Sequence, residues 1–104
     1  MENNIALYID DERVPKTNRN WEVVRNAAEA RKYMNENGCP SYISFDHDLG
    51  DFETGYDIAK WIVEKDMERD GKFIPENFEF NVHSANPVGA ANIEKYLINY
   101  LTFR

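Results

Sequence analysis

A chain of 104 residues and 12.2 kDa is sized for one domain spanning residues 1–104. Hydrophobic residues make up 42% and charged residues 30%, an ordinary globular composition, and no apolar run nears the ~20 residues of a bilayer span, so no membrane-spanning helix is expected. Twelve Lys and Arg against 19 Asp and Glu give a net charge of −7. That balance excludes the broad basic face an extended nucleic-acid footprint needs, though not a single phosphate held through a metal.

Ile5-Ala6-Leu7-Tyr8-Ile9 is a short apolar run stopped by Asp10-Asp11, which predicts a buried strand. Pro15, Asn18 and Asn20 mark a loop, and Trp21-Glu22-Val23-Val24 predicts a second strand. About ten residues join the two, close to the minimum for a parallel crossover, so an irregular connection is expected instead of a helix. Asn26-Ala27-Ala28-Glu29 has a capping-box pattern ahead of a helix that stops at Gly38. Tyr42-Ile43-Ser44-Phe45 predicts a third strand. Thr54 to Asp57 caps a second helix, whose apolar face carries Ile58, Ala59, Ile62 and Val63. Phe78 to Val82 alternates as a half-buried strand near an edge. Asn86-Pro87 then opens a last helix with a stripe of Ala90, Ile93, Leu97, Tyr100 and Leu101. The Met1-Glu2-Asn3-Asn4 start lacks signal-peptide features, and Cys39 has no internal partner, so a reducing, cytoplasmic setting is expected.

Strands alternating with helices predict a mostly parallel sheet, and ligands of such sheets sit beyond the strands' carboxyl ends. Three strands end in polar clusters: Asp10-Asp11-Glu12-Arg13, Asp46-His47-Asp48-Leu49-Gly50, and His83-Ser84-Ala85-Asn86. Any one of them has an ordinary reading as a turn, a solvated loop or a helix cap. Together they point to a site. Carboxylates converging from adjacent strands would repel one another, and a hard cation such as Mg²⁺ is the usual remedy. Strand alternation predicts that Asp46 and Asp48 face one way and His47 the other. By the same rule Ser84 lies on the side of Val82 and Phe80, and His83 points away.

An acid pair after strand one, an acid after strand three and a Ser-Ala after strand four resemble a receiver domain. The fuller set is closest to the cyclic-phosphate-processing receiver family: Asp10 to Arg13, Ser44 to Gly50, Thr54 to Asp57 and His83 to Gly89. The resemblance runs from about Ile5 to Leu101. It implies a small flavodoxin-like, three-layer α/β fold with parallel sheet order 2-1-3-4, about three helices and no fifth strand. The receiver's strand-five lysine then has no counterpart. It further implies Mg²⁺ or Mn²⁺ on Asp10, Asp11 and Asp46, with phosphate bound by Ser84 and Asn86.

The implied activity is a metal-dependent phosphoesterase acting on a cyclic phosphate, either a nucleotide or an RNA 3′ end. His83, His47, Asp48 and Arg13 are the expected catalytic residues. Two other readings stay open: a regulatory receiver phosphorylated on Asp46, and a module that binds a cyclic nucleotide without cleaving it. A monomer is expected. With no fifth strand, the last helix is expected to fold across a sheet face lined by Ala6, Tyr8, Tyr42 and Ser44, which would otherwise be bare.

Overall fold

The computed structural model describes residues 5–104. Its elements run β1 (Ala6–Ile9), β2 (Trp21–Val24), α1 (Ala27–Asn37), β3 (Tyr42–Phe45), α2 (Gly55–Glu68), β4 (Glu79–Val82) and α3 (Pro87–Phe103). The strands form one parallel sheet in the order β2-β1-β3-β4. β1 is buried along its whole length, whereas β4 alternates between exposed and half-buried positions, as central and edge strands should. No helix interrupts residues 10–20, in line with the short connection.

Local chemistry sets the element ends. Asn26 Oδ1 accepts the Glu29 N–H at 2.9 Å, while the Glu29 carboxylate turns back to the N–H of Arg25 instead of Asn26. Thr54 and Asp57 form a reciprocal capping box, and Asn86 caps α3 ahead of Pro87. Gly38, at φ 84°, ends α1.

Leu7, Ile9, Ile43 and Phe45 face a core completed by Ala30 and Met34 of α1, Ile58 and Ile62 of α2, and Ile93 and Leu97 of α3. All three helices therefore share one face of the sheet. This corrects the expected position of α3. The helix leaves the edge strand β4 and returns beside α2, with Tyr56 and Tyr96 edge to face at 5.5 Å. Its stripe is satisfied there. The opposite face does not demand a helix, because apart from Ala6 and Val23 its side chains are amphipathic or polar: Tyr8, Trp21, Tyr42, Ser44, Asn81 and His83. Part of the β1–β2 connection borders that face in place of a helical third layer and, with the sheet, lines an open cavity of about 770 Å³.

One buried acid ties the helical layer together. Asp66 is fully buried, and its Oδ1 accepts the N–H groups of Phe73 and Ile74 at 2.9 and 2.8 Å. Its Oδ2 accepts from Tyr100 Oη at 2.8 Å and from the Arg104 guanidinium at 3.1 Å. The α2–β4 connection and the end of α3 are thus fastened to one carboxylate.

Candidate functional site

Parallel pairing puts Tyr8, Ser44 and Asn81 side by side on the helix-free face, and two residues further along their strands come Asp10, Asp46 and His83. Each of these three residues offers a ligand atom within 4.8 Å of the others. Asp10 and Asp46 are buried.

Asp10 is held by four donors. Its Oδ1 accepts the N–H groups of Glu12 and Arg13 at 2.9 and 2.8 Å. Its Oδ2 accepts from Arg13 Nε and lies 3.0 Å from His83 Nε2. Burial by itself would raise the Asp10 pKa. The Arg13 and Glu12 N–H bonds, the His83 bond and the Arg13 charge outweigh that effect and hold the carboxyl below its ordinary range. An ionised Asp10 can only accept, so His83 Nε2 carries a proton. In the neutral ring Nδ1 is then an acceptor, and Ser44 Oγ, 2.7 Å away, donates to it. The result is a chain from Ser44 through His83 to Asp10, with both imidazole nitrogens engaged. Tyr8 stacks on the imidazole at 4.4 Å with an interplanar angle of 4°.

Arg13 reaches from Asp10 towards Asp46 Oδ2, 3.7 Å from its terminal nitrogen. Arg25 braces this stretch by donating to the carbonyls of Asp10 and Arg13 at 3.0 and 2.7 Å. The two carboxylates suit a hard divalent cation, with the His83 ring nitrogens already engaged beside them and the half-exposed Arg13 supplying the present counter-charge. Asp11 lies outside this group. Its carboxylate faces Gly50, where an added Cβ would come within 2.9 Å of Oδ2.

A second group forms at the start of α3. His47 Nδ1 lies 3.1 Å from Asp48 Oδ1, and Asn86 Nδ2 donates to Asp48 Oδ2 at 3.3 Å. The bond to His47, and then that to Asn86, lower the Asp48 pKa. Asp48 therefore does not side with Asp46. The extended alternation behind that expectation stops at Phe45, where β3 ends. Asn86 spends its Oδ1 on the Gly89 N–H, and Ser84 Oγ accepts the Asn86 N–H. The alternation on β4 does hold: His83 joins Asp10 and Ser84 does not.

Sequence reasoning missed Ser44 as the partner of His83 and missed Tyr8 as its stacking platform. The signal was available, because residues 8, 10, 44, 46, 81 and 83 share one strand parity.

Two glycines let the backbone close around the acids. A Cβ on Gly55 would collide with the Asp46 carbonyl, and one on Gly89 would collide with the His47 ring. Gly55→Ala is expected to cost about 1–3 kcal/mol in stability. Because backbone must move, it should also displace Asp46 and weaken binding of a phosphate analogue. Thermal melts paired with calorimetry on the variant check this.

The family model of the cyclic-phosphate processing receiver domain matches residues 5–99. The chain belongs to that family. This cyclic-phosphate processing receiver domain has the sheet order 2-1-3-4 read from its sequence. No curated protein and no solved structure matches it significantly. Among the described residues no helix is long and apolar enough to cross a membrane.

Proposed function

We propose that this domain is a phosphoesterase that opens a small cyclic phosphate diester by attack of water. One observation carries the reading: in the Ser44–His83–Asp10 hydrogen-bond chain, Ser44 and His83 line a cavity while Asp10 and His83 lie within 4.8 Å of Asp46, so that proton transfer and phosphate chemistry would meet there.

Mg²⁺ or Mn²⁺ on Asp10 and Asp46, with Asp11 nearby, would supply positive charge to polarise the phosphoryl oxygens. Arg13 offsets charge that develops on those oxygens. The dipole of the start of α3 would favour the remaining phosphate oxygens, and Ser84 and Asn86, whose side chains are engaged in the turn before it and with Asp48, would brace that terminus. Asp48 fixes the His47 tautomer by accepting from Nδ1, which leaves Nε2 as the base that takes a proton from water. The water oxygen bonds to phosphorus and one ring P–O bond breaks. His83 then supplies the proton for the leaving oxygen. In its imidazolium form, charged by a proton from solvent and stabilised by Asp10, the ring passes its Nδ1 proton to Ser44 Oγ as Ser44 gives its own to the leaving oxygen; His83 returns to the neutral tautomer, and His47 sheds the proton it took to solvent. The thiol of Cys39, pushed up to about 12 by burial, takes no part.

Incubating the protein with Mg²⁺ or Mn²⁺ and a panel of 2′,3′-cyclic nucleotides should yield ring-opened monophosphates, resolved by chromatography because opening frees no phosphate. Chelation with EDTA should abolish the product. Labelling of Asp46 by acetyl phosphate without ring opening would replace this reading with a regulatory receiver. Saturable binding without turnover would replace it with a binding module.

A further inference from the structure

We propose that the cavity on the helix-free face is a nucleobase subsite, so that the ligand of the neighbouring acid cluster is a single nucleoside cyclic phosphate. This rests on the phosphate reading above and specifies what is attached to the phosphate.

The cavity, about 770 Å³, is within the usual range for small-molecule sites. Aromatic rings line it. Trp21 meets Tyr8 edge-on at 5.4 Å and lies tilted against Tyr42 at 5.9 Å. None of the three belongs to the core cluster beneath the helices. Thr17 Oγ1 accepts from the Trp21 indole N–H at 3.2 Å and so fixes how the ring is presented. The Arg19 guanidinium lies over the Tyr42 ring at 4.1 Å, so that face is shaped for a flat, delocalised group and a base would take it by displacing Arg19. Flat, sequence-tolerant stacking on aromatics exposed on a sheet is how proteins commonly hold bases.

Position ties the slot to the acids. Tyr8 is common to both, meeting Trp21 at its edge and His83 on its face. Along β1, Tyr8 precedes Asp10 by two residues, about 7 Å, and along β3 Tyr42 precedes Asp46 by four, about 13 Å. A ribose bridges the shorter of these gaps, which puts phosphate at the strand ends and the base against Tyr8 and Trp21, with Tyr42 at its far edge. The net charge of −7 opposes a long RNA strand and favours a ligand of mononucleotide size.

The test is calorimetry on the full chain with three probes: adenosine 2′,3′-cyclic phosphate, the base-free methyl riboside 2,3-cyclic phosphate, and adenosine. The nucleotide should bind roughly tenfold tighter than the base-free diester. Trp21→Leu should reduce the nucleotide to the base-free level, and Tyr42→Leu provides the same comparison if the first variant melts early. Equal affinities for nucleotide and base-free diester in the unaltered protein would overturn the subsite and leave the phosphate reading standing. Adenosine binding that is lost in either leucine variant, with no binding of the base-free diester, would support the subsite and sink the phosphate reading. Tighter binding of a five-nucleotide RNA ending in the same cyclic phosphate would overturn the limit to a single nucleoside.

Discussion

Replacing His83 with alanine is expected to lower turnover of a cyclic phosphate by about 10²–10⁴-fold. KM should move far less, because the ring's role is in proton transfer and the phosphate is held by other groups. The geometry supplies the reason: Asp10 is ionised and fixes the proton on Nε2, so Nδ1 faces Ser44 Oγ at 2.7 Å. Without the imidazole the chain is broken and the leaving oxygen must depart unprotonated. Ser44→Ala should lose turnover in the same direction. Steady-state kinetics on both variants decide the matter. A loss of affinity equal to the loss of turnover would make His83 a structural clamp between β1 and β3.

Asp66→Ala is expected to cost about 3–5 kcal/mol, the usual penalty for breaking a buried, hydrogen-bonded charge pair. Arg104 would lose its carboxylate, two backbone N–H groups would lose their acceptor, and Tyr100 would lose the partner that, with burial, pushes its hydroxyl up to about 12. At roughly 4–8 °C per kcal/mol for a domain of this size, the melting midpoint should fall by tens of degrees. The pH dependence has a definite sign. Burial would raise the Asp66 pKa, but the Ile74 N–H, Tyr100, Arg104 and Phe73 N–H bonds outweigh it and lower the folded value. The stabilisation is therefore complete above the unfolded pKa of about 3.9 and is lost as pH falls through the folded one. Asp66→Asn should flatten this acid limb, which melts between pH 2 and pH 7 would reveal.

Both residues show what the sequence could and could not convey. Strand parity alone separates His83 from Ser84 and puts Asp10, Asp46 and His83 on one side, because a pleated strand has a fixed period. Parity failed for Asp48, since the rule holds only while the chain stays extended and β3 ends at Phe45. The stripe of α3 was legible as a stripe, but an apolar period does not record which neighbour it meets. The helix therefore lay beside α2 and not across the open face. Asp66 leaves a trace in the sequence. It follows Ile58 and Ile62 at four-residue steps, so an acid stands on the buried stripe of α2. Its partners come from the distant Phe73, Tyr100 and Arg104, and no local pattern foretells them.

The β1–β2 connection carries two duties on one short piece of chain. Its root holds Asp10 and Arg13 and is pinned by Arg25, whereas Val14, Pro15, Lys16, Thr17 and Arg19 wall the cavity. The wall of the slot and the arginine that screens the two carboxylates thus belong to one uninterrupted stretch of chain, so a change of length around Lys16 would reshape the slot while Arg25 keeps the root at Asp10 and Arg13 in place.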